Sequence, residues 1–220
     1  AELRAADPST HRDYRRAAWH QLREESRTVG VQEHWRYTAD MLYIFENSAV
    51  REGFFPVGAQ HYAVEPARVD DGASIKEIIE RYEGPTVAKQ LIDLWAGAPE
   101  SFYIARDSEG GVAGFSCVFN PADISPTLLQ NDLVSQKWVD HLKHYPMPRN
   151  QHALFFRRWL SLDHGEMPSP VQAAFWLDVK RSYMALRPNL RRCYFTVCDL
   201  PTYAPVMRTV GIQPLPEADI

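Results

Sequence analysis

Apolar residues recur along the chain with helical and strand periods, and the breaks between them divide it into elements. The first pattern is helical and follows the capping residues Ser9 and Thr10. Its apolar face carries Tyr14, Ala17, Ala18 and Leu22. A second helix, whose aromatic residues indicate a docking face, is predicted over residues 34–49, before Gly53 and Pro56 break the pattern. The N-terminal part is therefore predicted to be helical.

From residue 62 the pattern becomes mixed, with a strand, two helices and then two further strands. These elements are predicted over residues 62–67, 70–84, 84–99, 102–106 and 112–119. Gly110 and Gly111 between the last two strands are typical of a β-hairpin turn. Residues 120–150 are rich in proline and polar side chains, so we interpret them as an insertion with one helix over residues 133–145.

The last third of the chain is predicted to hold two strands and two helices. A bulky apolar strand over residues 153–162 leads into a helix capped by Ser169, with a proline at its first position and Gln172 completing a capping box. A strand over residues 192–198 and a short helix over residues 202–212 follow. This order of elements predicts an α/β (α+β) fold.

Composition excludes several classes of function. The 220 residues, 45% hydrophobic and 24% charged, are enough for one sizeable core. A net charge of −4 provides no positive field for nucleic acid. No stretch approaches the roughly 18 consecutive apolar residues of a membrane helix, and the N-terminus has no apolar signal core. Three cysteines without a CxxC pair indicate reduced thiols. We therefore expect a cytoplasmic protein that binds neither nucleic acid nor membrane.

The strongest candidate for chemistry follows the strand over residues 153–162. Asp163, His164 and Glu166 cluster at its end, where a general base could deprotonate an amine. The alternative is a polar loop that leads into a helix cap, because such loops attract the same residue types.

Four other patterns have structural explanations beside functional ones. Cys198 could be a nucleophile, but no histidine close in sequence supports it, and packing is the alternative. His141 and His144 have a spacing that could serve a metal, but lack a third ligand, so no metal site is predicted. The aromatic and basic run over residues 155–159 fits a core or cleft strand better than a nucleic-acid surface. Trp176 lies off its helix's apolar stripe, open to a ligand or to burial against the N-terminal helices.

The order of elements over residues 62–215 resembles the GNAT superfamily of acyl-CoA N-acyltransferases. The segment EPARVDDGASIKEIIE is similar to the opening of such domains, FYIARDSEGGVAGFSCVF to their second and third strands, and MRTVGI to their last short helix. The resemblance implies a mixed, mostly antiparallel sheet flanked by helices. It also implies a GNAT-like domain over residues 59–220, with the insertion at about 120–150, after an N-terminal helical extension over residues 1–58.

The resemblance further implies an acyl-CoA substrate in the cleft between the strands over residues 153–162 and 192–198. Its pyrophosphate would lie near Ser169, Val171 and Gln172, and Leu160 and Leu162 would line the cleft. Asp163, His164 or Glu166 would deprotonate an unidentified amine, from a small molecule or a peptide. The reaction would transfer an acetyl or longer acyl group directly.

Two departures from the family pattern qualify this prediction. Family members carry a Q/R-x-x-G-x-G/A loop for the pyrophosphate, where this chain has Glu166, Ser169 and Val171, and a carboxylate would repel phosphate. Many members also use a tyrosine to protonate the departing thiolate. Met207 stands at that place and cannot donate a proton, whereas Tyr203 lies one turn earlier.

Two classes of function remain open. The first is an acyl-CoA-dependent N-acyltransferase. The second is a catalytically degenerate GNAT-fold module that senses a ligand or contacts other domains of a larger protein. The missing glycines and the missing tyrosine favour the second class. The N-terminal segment resembles the helical connector of large bacterial multidomain ATP-dependent regulators. The chain contains neither a GxxxxGK[ST] nor a GxGxxG motif for nucleotide binding.

Overall fold

The computed structural model describes residues 5–26, 28, 37, 40, 44, 62–186, 188–209 and 212–218. Apart from isolated positions, the helix predicted over residues 34–49 lies outside this part of the chain. The described residues form one five-stranded mixed sheet flanked by helices, preceded by an N-terminal helix. The predicted α+β fold class is therefore confirmed.

The N-terminal helix, α1, spans Pro8–Glu25 and begins earlier than predicted. Its cap is Asp7 and not Ser9 or Thr10, because the Asp7 Oδ1 atom accepts the backbone N–H groups of both residues at 3.1 Å. A carboxylate at this position satisfies orphan amides and complements the helix dipole. None of the residues of α1 is buried.

The sheet has its strands in sequence order. They are β1 (Ala63–Pro66), β2 (Phe102–Arg106), β3 (Val112–Phe119), β4 (His152–Ser161) and β5 (Leu190–Phe195). Successive strands from β1 to β4 pair antiparallel, whereas β5 runs parallel to β4. The last strand begins two residues before the predicted segment 192–198 and ends three residues before the end of that segment, so Cys198 lies in the loop beyond it.

The described residues contain six further α-helices, of which five lie between strands and the last follows β5. They are α2 (Gly72–Tyr82), α3 (Pro85–Gly97), α4 (Pro126–Asn131), α5 (Leu133–His144), α6 (Pro170–Ala185) and α7 (Leu200–Thr209). The segment predicted as an insertion with one helix contains two, α4 and α5. The six residues of α4 are too few to show a helical period, but Ser125 caps it by accepting the Leu128 amide at 3.3 Å.

Helices cover both faces of the sheet and create two apolar cores. Ile75, Ile78 and Ile79 of α2 are fully buried on the face that also carries α3 and α5. Phe175 and Val179 of α6 are buried on the opposite face, where α7 also packs. Helices α2 and α6 therefore each bury an apolar stripe against the sheet, as their periods predict.

A bulge interrupts the pairing of β3 with β4. Cys117 faces Arg158 and Val118 faces Phe156, which leaves Arg157 as an extra residue in β4. An extra residue turns the side chains that follow it to the other face of the sheet. Sequence alternation across this point is therefore misleading.

The burial of the neighbouring residues shows the effect of the bulge. Phe155 and Leu160 both lie in the core under α2, α3 and α5, although strict alternation would separate residues five apart. Phe156 and Trp159 both lie under α6. The run over residues 155–159 is thus core, and two consecutive arginines reach carboxylates on the same side of the sheet.

The first of these arginines, Arg157, forms a buried ion pair with Asp132. Both Asp132 oxygens accept guanidinium N–H groups at 2.8 Å, and the two side chains are 1% and 2% exposed. The same carboxylate caps α5 by accepting the Ser135 amide. Burial alone would raise the pKa of Asp132, but the bonds from Arg157 and Ser135 lower it. Asp132 therefore stays ionised and ties α5 to the sheet.

Replacing Gly114→Ala tests the close approach of β3 and β4. An added Cβ would lie 2.6 Å from the Leu160 carbonyl oxygen and 2.8 Å from Val171 Cγ1. We expect a loss of about 1–3 kcal/mol in the free energy of unfolding by urea, because backbone must move. Gly84→Ala is the control, since its methyl group meets no atom within 4 Å. Equal losses in the two variants would contradict the argument.

Replacing Asp132→Asn tests the Arg157 ion pair. We expect a loss of about 3–5 kcal/mol at neutral pH, because an unpaired buried guanidinium remains. The lowered pKa of Asp132 gives stability that is present above its unfolded value, near pH 4, and is lost as pH falls through the folded value. Urea denaturation between pH 2 and 7 should therefore show a smaller acid-dependent loss in the variant. An unchanged acid profile would contradict this role for Asp132.

Candidate functional site

Strands β4 and β5 part halfway along β4. Their parallel pairing ends with Phe156 opposite Phe195, and the last bond runs from the Thr196 amide to the Phe156 carbonyl at 3.4 Å. Beyond this point β4 continues to Ser161 with β3 as its paired strand. A gap therefore lies between the second half of β4 and the loop after β5, which we call the strand gap.

A carboxylate of the protein itself occupies the strand gap. The Cys198 amide donates to Glu166 Oε1 and Oε2 at 2.8 and 3.0 Å, and the Asp199 amide lies 3.3 Å from Oε1. The Glu166 side chain is only 9% exposed. These amides immediately precede α7, where the helix dipole also favours an anion. Glu166 is thus bound as an anionic ligand would be.

The guanidinium of Arg158 provides the cationic wall of the strand gap. It contacts Glu166 Oε2 through Nη1 and Glu83 Oε1 through Nε, and its side chain is 4% exposed. Burial opposes the charge, but the two carboxylates raise the pKa of Arg158 above its ordinary value. Arg158 therefore remains a cation that links β4, the α2–α3 junction and the loop before α6.

Tyr203 and Gln172 close the gap on the side of α6. The Tyr203 hydroxyl donates to the Glu166 carbonyl oxygen and accepts from Gln172 Nε2 at 2.7 Å. Burial and the nearby Glu166 carboxylate raise the pKa of Tyr203. The capping box predicted for Ser169 and Gln172 is only half correct. The backbone amide of Gln172 donates to Ser169 Oγ at 3.2 Å, as predicted, but the Gln172 side chain binds Tyr203.

The amides that open α6 are covered by protein. Ser169, Val171 and Gln172 are 9%, 5% and 7% exposed. The Ser169 carbonyl accepts a hydrogen bond from the backbone amide of Ala173 at 3.0 Å, and the Ser169 hydroxyl accepts one from the backbone amide of Gln172. The expected open floor for a pyrophosphate is therefore not present in this arrangement.

The predicted catalytic residues are separated by the turn after β4. Asp163 and His164 are exposed, whereas the side chain of Glu166 enters the strand gap. Gly165, between His164 and Glu166, has a φ of 57°, the left-handed conformation that reverses the chain at this point. The structure thus brings one of the three residues into the gap.

The two leucines predicted to line a cofactor cleft lie on the α2 side of the sheet. Leu160 is fully buried in that core, and Leu162 is half-buried against it. The Leu162 carbonyl accepts bonds from Arg81 Nη1 at 3.0 Å and from the Tyr82 hydroxyl at 2.9 Å. The start of the loop that carries Glu166 is therefore fixed to the end of α2.

The other patterns noted in the sequence have structural roles here. Trp176 packs against Phe195, with ring centroids 5.2 Å apart. Desolvation raises the pKa of the Cys198 thiol, which opposes formation of a thiolate nucleophile. His141 Nδ1 lies 2.8 Å from the Tyr194 hydroxyl. In the part of the chain that the structure describes, no group of three or more metal-ligating side chains could hold a metal ion.

Sequence reasoning missed Arg158 and the amides of Cys198 and Asp199. The available signal was the pair of arginines in an otherwise apolar strand, since buried arginines require carboxylate partners. Their partners, however, are 8 to 75 residues away along the chain, so spacing did not reveal them.

Neither a comparison with models of known protein families nor a search of curated proteins finds a match for this chain. No helix among the residues described is both long enough and apolar enough to cross a membrane. The function must therefore be inferred from the site itself.

Replacing Tyr203→Phe tests the contacts that close the strand gap. The variant leaves the side-chain amide of Gln172 and the backbone carbonyl of Glu166 without the hydroxyl that they share. We therefore expect a loss of about 1–3 kcal/mol in the free energy of unfolding. Urea denaturation measures the loss. Tyr145→Phe is the matched control, because Tyr145 is 49% exposed. If both variants unfold at the same urea concentration, Tyr203 does not hold the gap closed.

Proposed function

We propose that this chain is a catalytically degenerate GNAT-like module that works by sensing a ligand or contacting other domains of a larger regulatory protein. The observation that carries the proposal is the Glu166 carboxylate in the strand gap. In the GNAT-like reading, this gap is where an acyl-CoA would lie, and here it holds an anion of the protein.

Acyl-CoA binding would meet two obstacles in this arrangement. A phosphate or thioester entering the gap would have to displace Glu166 from Arg158 and from two backbone amides. Removing one partner of a buried ion pair typically costs about 3–5 kcal/mol. If Glu166 stayed in place, its charge would repel phosphate. Both obstacles favour a module without turnover.

The lack of an available tyrosine to protonate a departing thiolate also supports this proposal. Met207 stands where the family resemblance places a tyrosine, and it is buried against the α6 face of the sheet. The hydroxyl of Tyr203, one turn earlier, is engaged by Gln172 and the Glu166 carbonyl. A raised pKa makes Tyr203 a weaker acid than an ordinary tyrosine.

Contact with other domains is supported by α1. This helix of 18 residues has no buried residue, and its Tyr14 side chain is 63% exposed. Such a surface suits a neighbouring domain of the same protein.

The free cysteines Cys117, Cys193 and Cys198 fit the reducing environment of the cytoplasm, where we place the protein as part of this proposal.

An acyl-CoA-dependent N-acyltransferase is the second candidate, and the parting of β4 from β5 after Phe156 favours it. An acyl-CoA would then occupy a widened strand gap, with its pyrophosphate at Ser169, Val171 and Gln172. Asp163, His164 or Glu166 would take the proton from an amine. The amine would attack the thioester carbonyl, and CoA would leave as the thiolate. This function requires Glu166 to leave the gap.

Calorimetry with acetyl-CoA and longer acyl-CoAs separates the two candidates. We expect no binding heat at ligand concentrations up to about 1 mM, a limit that corresponds to a binding free energy near −4 kcal/mol. Micromolar binding that is weakened by Val171→Pro would overturn the proposal, because that change removes one amide in the first turn of α6. Thr86→Pro is the matched control, since Thr86 also follows a proline at the first position of its helix, α3.

A further inference from the structure

The groups that bind Glu166 come from parts of the chain other than its own loop. Arg158 belongs to β4, and the amides of Cys198 and Asp199 precede α7. Together they direct a cation and two N–H donors at one carboxylate. We call the Arg158 guanidinium and the backbone amides of Cys198 and Asp199 the receptor. All of its donor groups are present without the Glu166 side chain.

The receptor matches the shape of a carboxylate group. Oε1 of Glu166 accepts from both amides, while Oε2 accepts from the Cys198 amide and contacts Arg158. Each oxygen thus has donors from the receptor. Charge-assisted bonds of this kind are stronger than neutral ones.

Glu166 is held near the receptor by its loop. Its neighbours are fixed at both ends, because Leu162 is bonded to α2 and Ser169 caps α6. Met167 and Pro168 between them are exposed. A tethered carboxylate has a high effective concentration at its site, so a free carboxylate cannot compete while Glu166 is in place.

Removing Glu166 would leave the receptor without its ligand. Arg158 would keep Glu83 as a partner, but two backbone amides would lose their acceptor. A cation and two N–H donors at the start of a helix favour an anion of suitable shape. The receptor should therefore recruit a replacement from solution.

We propose that Arg158 and the amides of Cys198 and Asp199 form a binding site for a small carboxylate. Glu166 is the intramolecular ligand that keeps this site closed. The inference rests on the proposed function, because both start from an occupied strand gap. It adds a chemical class of ligand and a means of regulation, since withdrawal of the loop carrying Glu166 would expose the site.

Replacement of the missing side chain by formate tests this inference. The variant Glu166→Ala should have a lower Tm than the wild type, and sodium formate should raise its Tm by roughly 2–5 °C in a saturable manner. Sodium chloride at the same ionic strength should not reproduce the effect. The wild type and Glu109→Ala, in which an exposed carboxylate is removed from the β2–β3 turn, should show no formate-specific rise.

A folding defect would not obscure the result. If Glu166→Ala is unfolded in chloride, the inference predicts that it refolds in formate, and Glu166→Ser provides a second variant with the same vacated site. Equal Tm values in formate and chloride for the folded variant, or failure of both variants to refold in formate, would overturn the inference. Because acyl-CoA binding is measured on the wild type, the two proposals can fail independently.

Discussion

This part of the molecule depends on the two ion pairs that the buried guanidinium of Arg158 makes with Glu83 and Glu166. An ion in the protein interior is tolerated only when its charge is paired and its hydrogen bonds are made. Those two carboxylates come from the α2–α3 junction and from the loop before α6. Pairing one cation with both therefore fixes the position of each segment against β4.

The bulge at Arg157 makes this arrangement possible. Without an extra residue, consecutive arginines would point to opposite faces of the sheet, and one of them would enter the aromatic core under α6. The bulge instead turns both toward carboxylates, Arg157 to Asp132 and Arg158 to Glu83. Bulges commonly direct side chains in this way beside functional sites.

The strand gap combines features that support different functions. Parting parallel strands create room for a ligand, and α7 begins with amides that favour an anion. The protein fills that position with Glu166, which is one of the residues its sequence suggests as a catalytic base. Burial and pairing make the same carboxylate a structural ligand, and this change of role separates the proposed module from an acyltransferase.

The sequence by itself determined the class of fold and most of its elements. Strands β2 and β3 follow the predicted residues, and α2, α3 and α6 follow their apolar stripes, because these patterns depend on neighbours only a few positions away. Local chemistry also indicated Ser169 as a cap and Glu166 as a residue of interest. It did not indicate α4, which is too short to show a period.

Only the tertiary structure decided what the candidate site contains. The bulge at Arg157, the end of β5 at Phe195 and the meeting of Glu166 with Arg158 depend on pairing between segments far apart in the chain. Periodicity carries no information about which distant carboxylate reaches a buried arginine. The electrostatic cost of an unpaired ion selects that partner, and this cost arises only when the chain has closed around it.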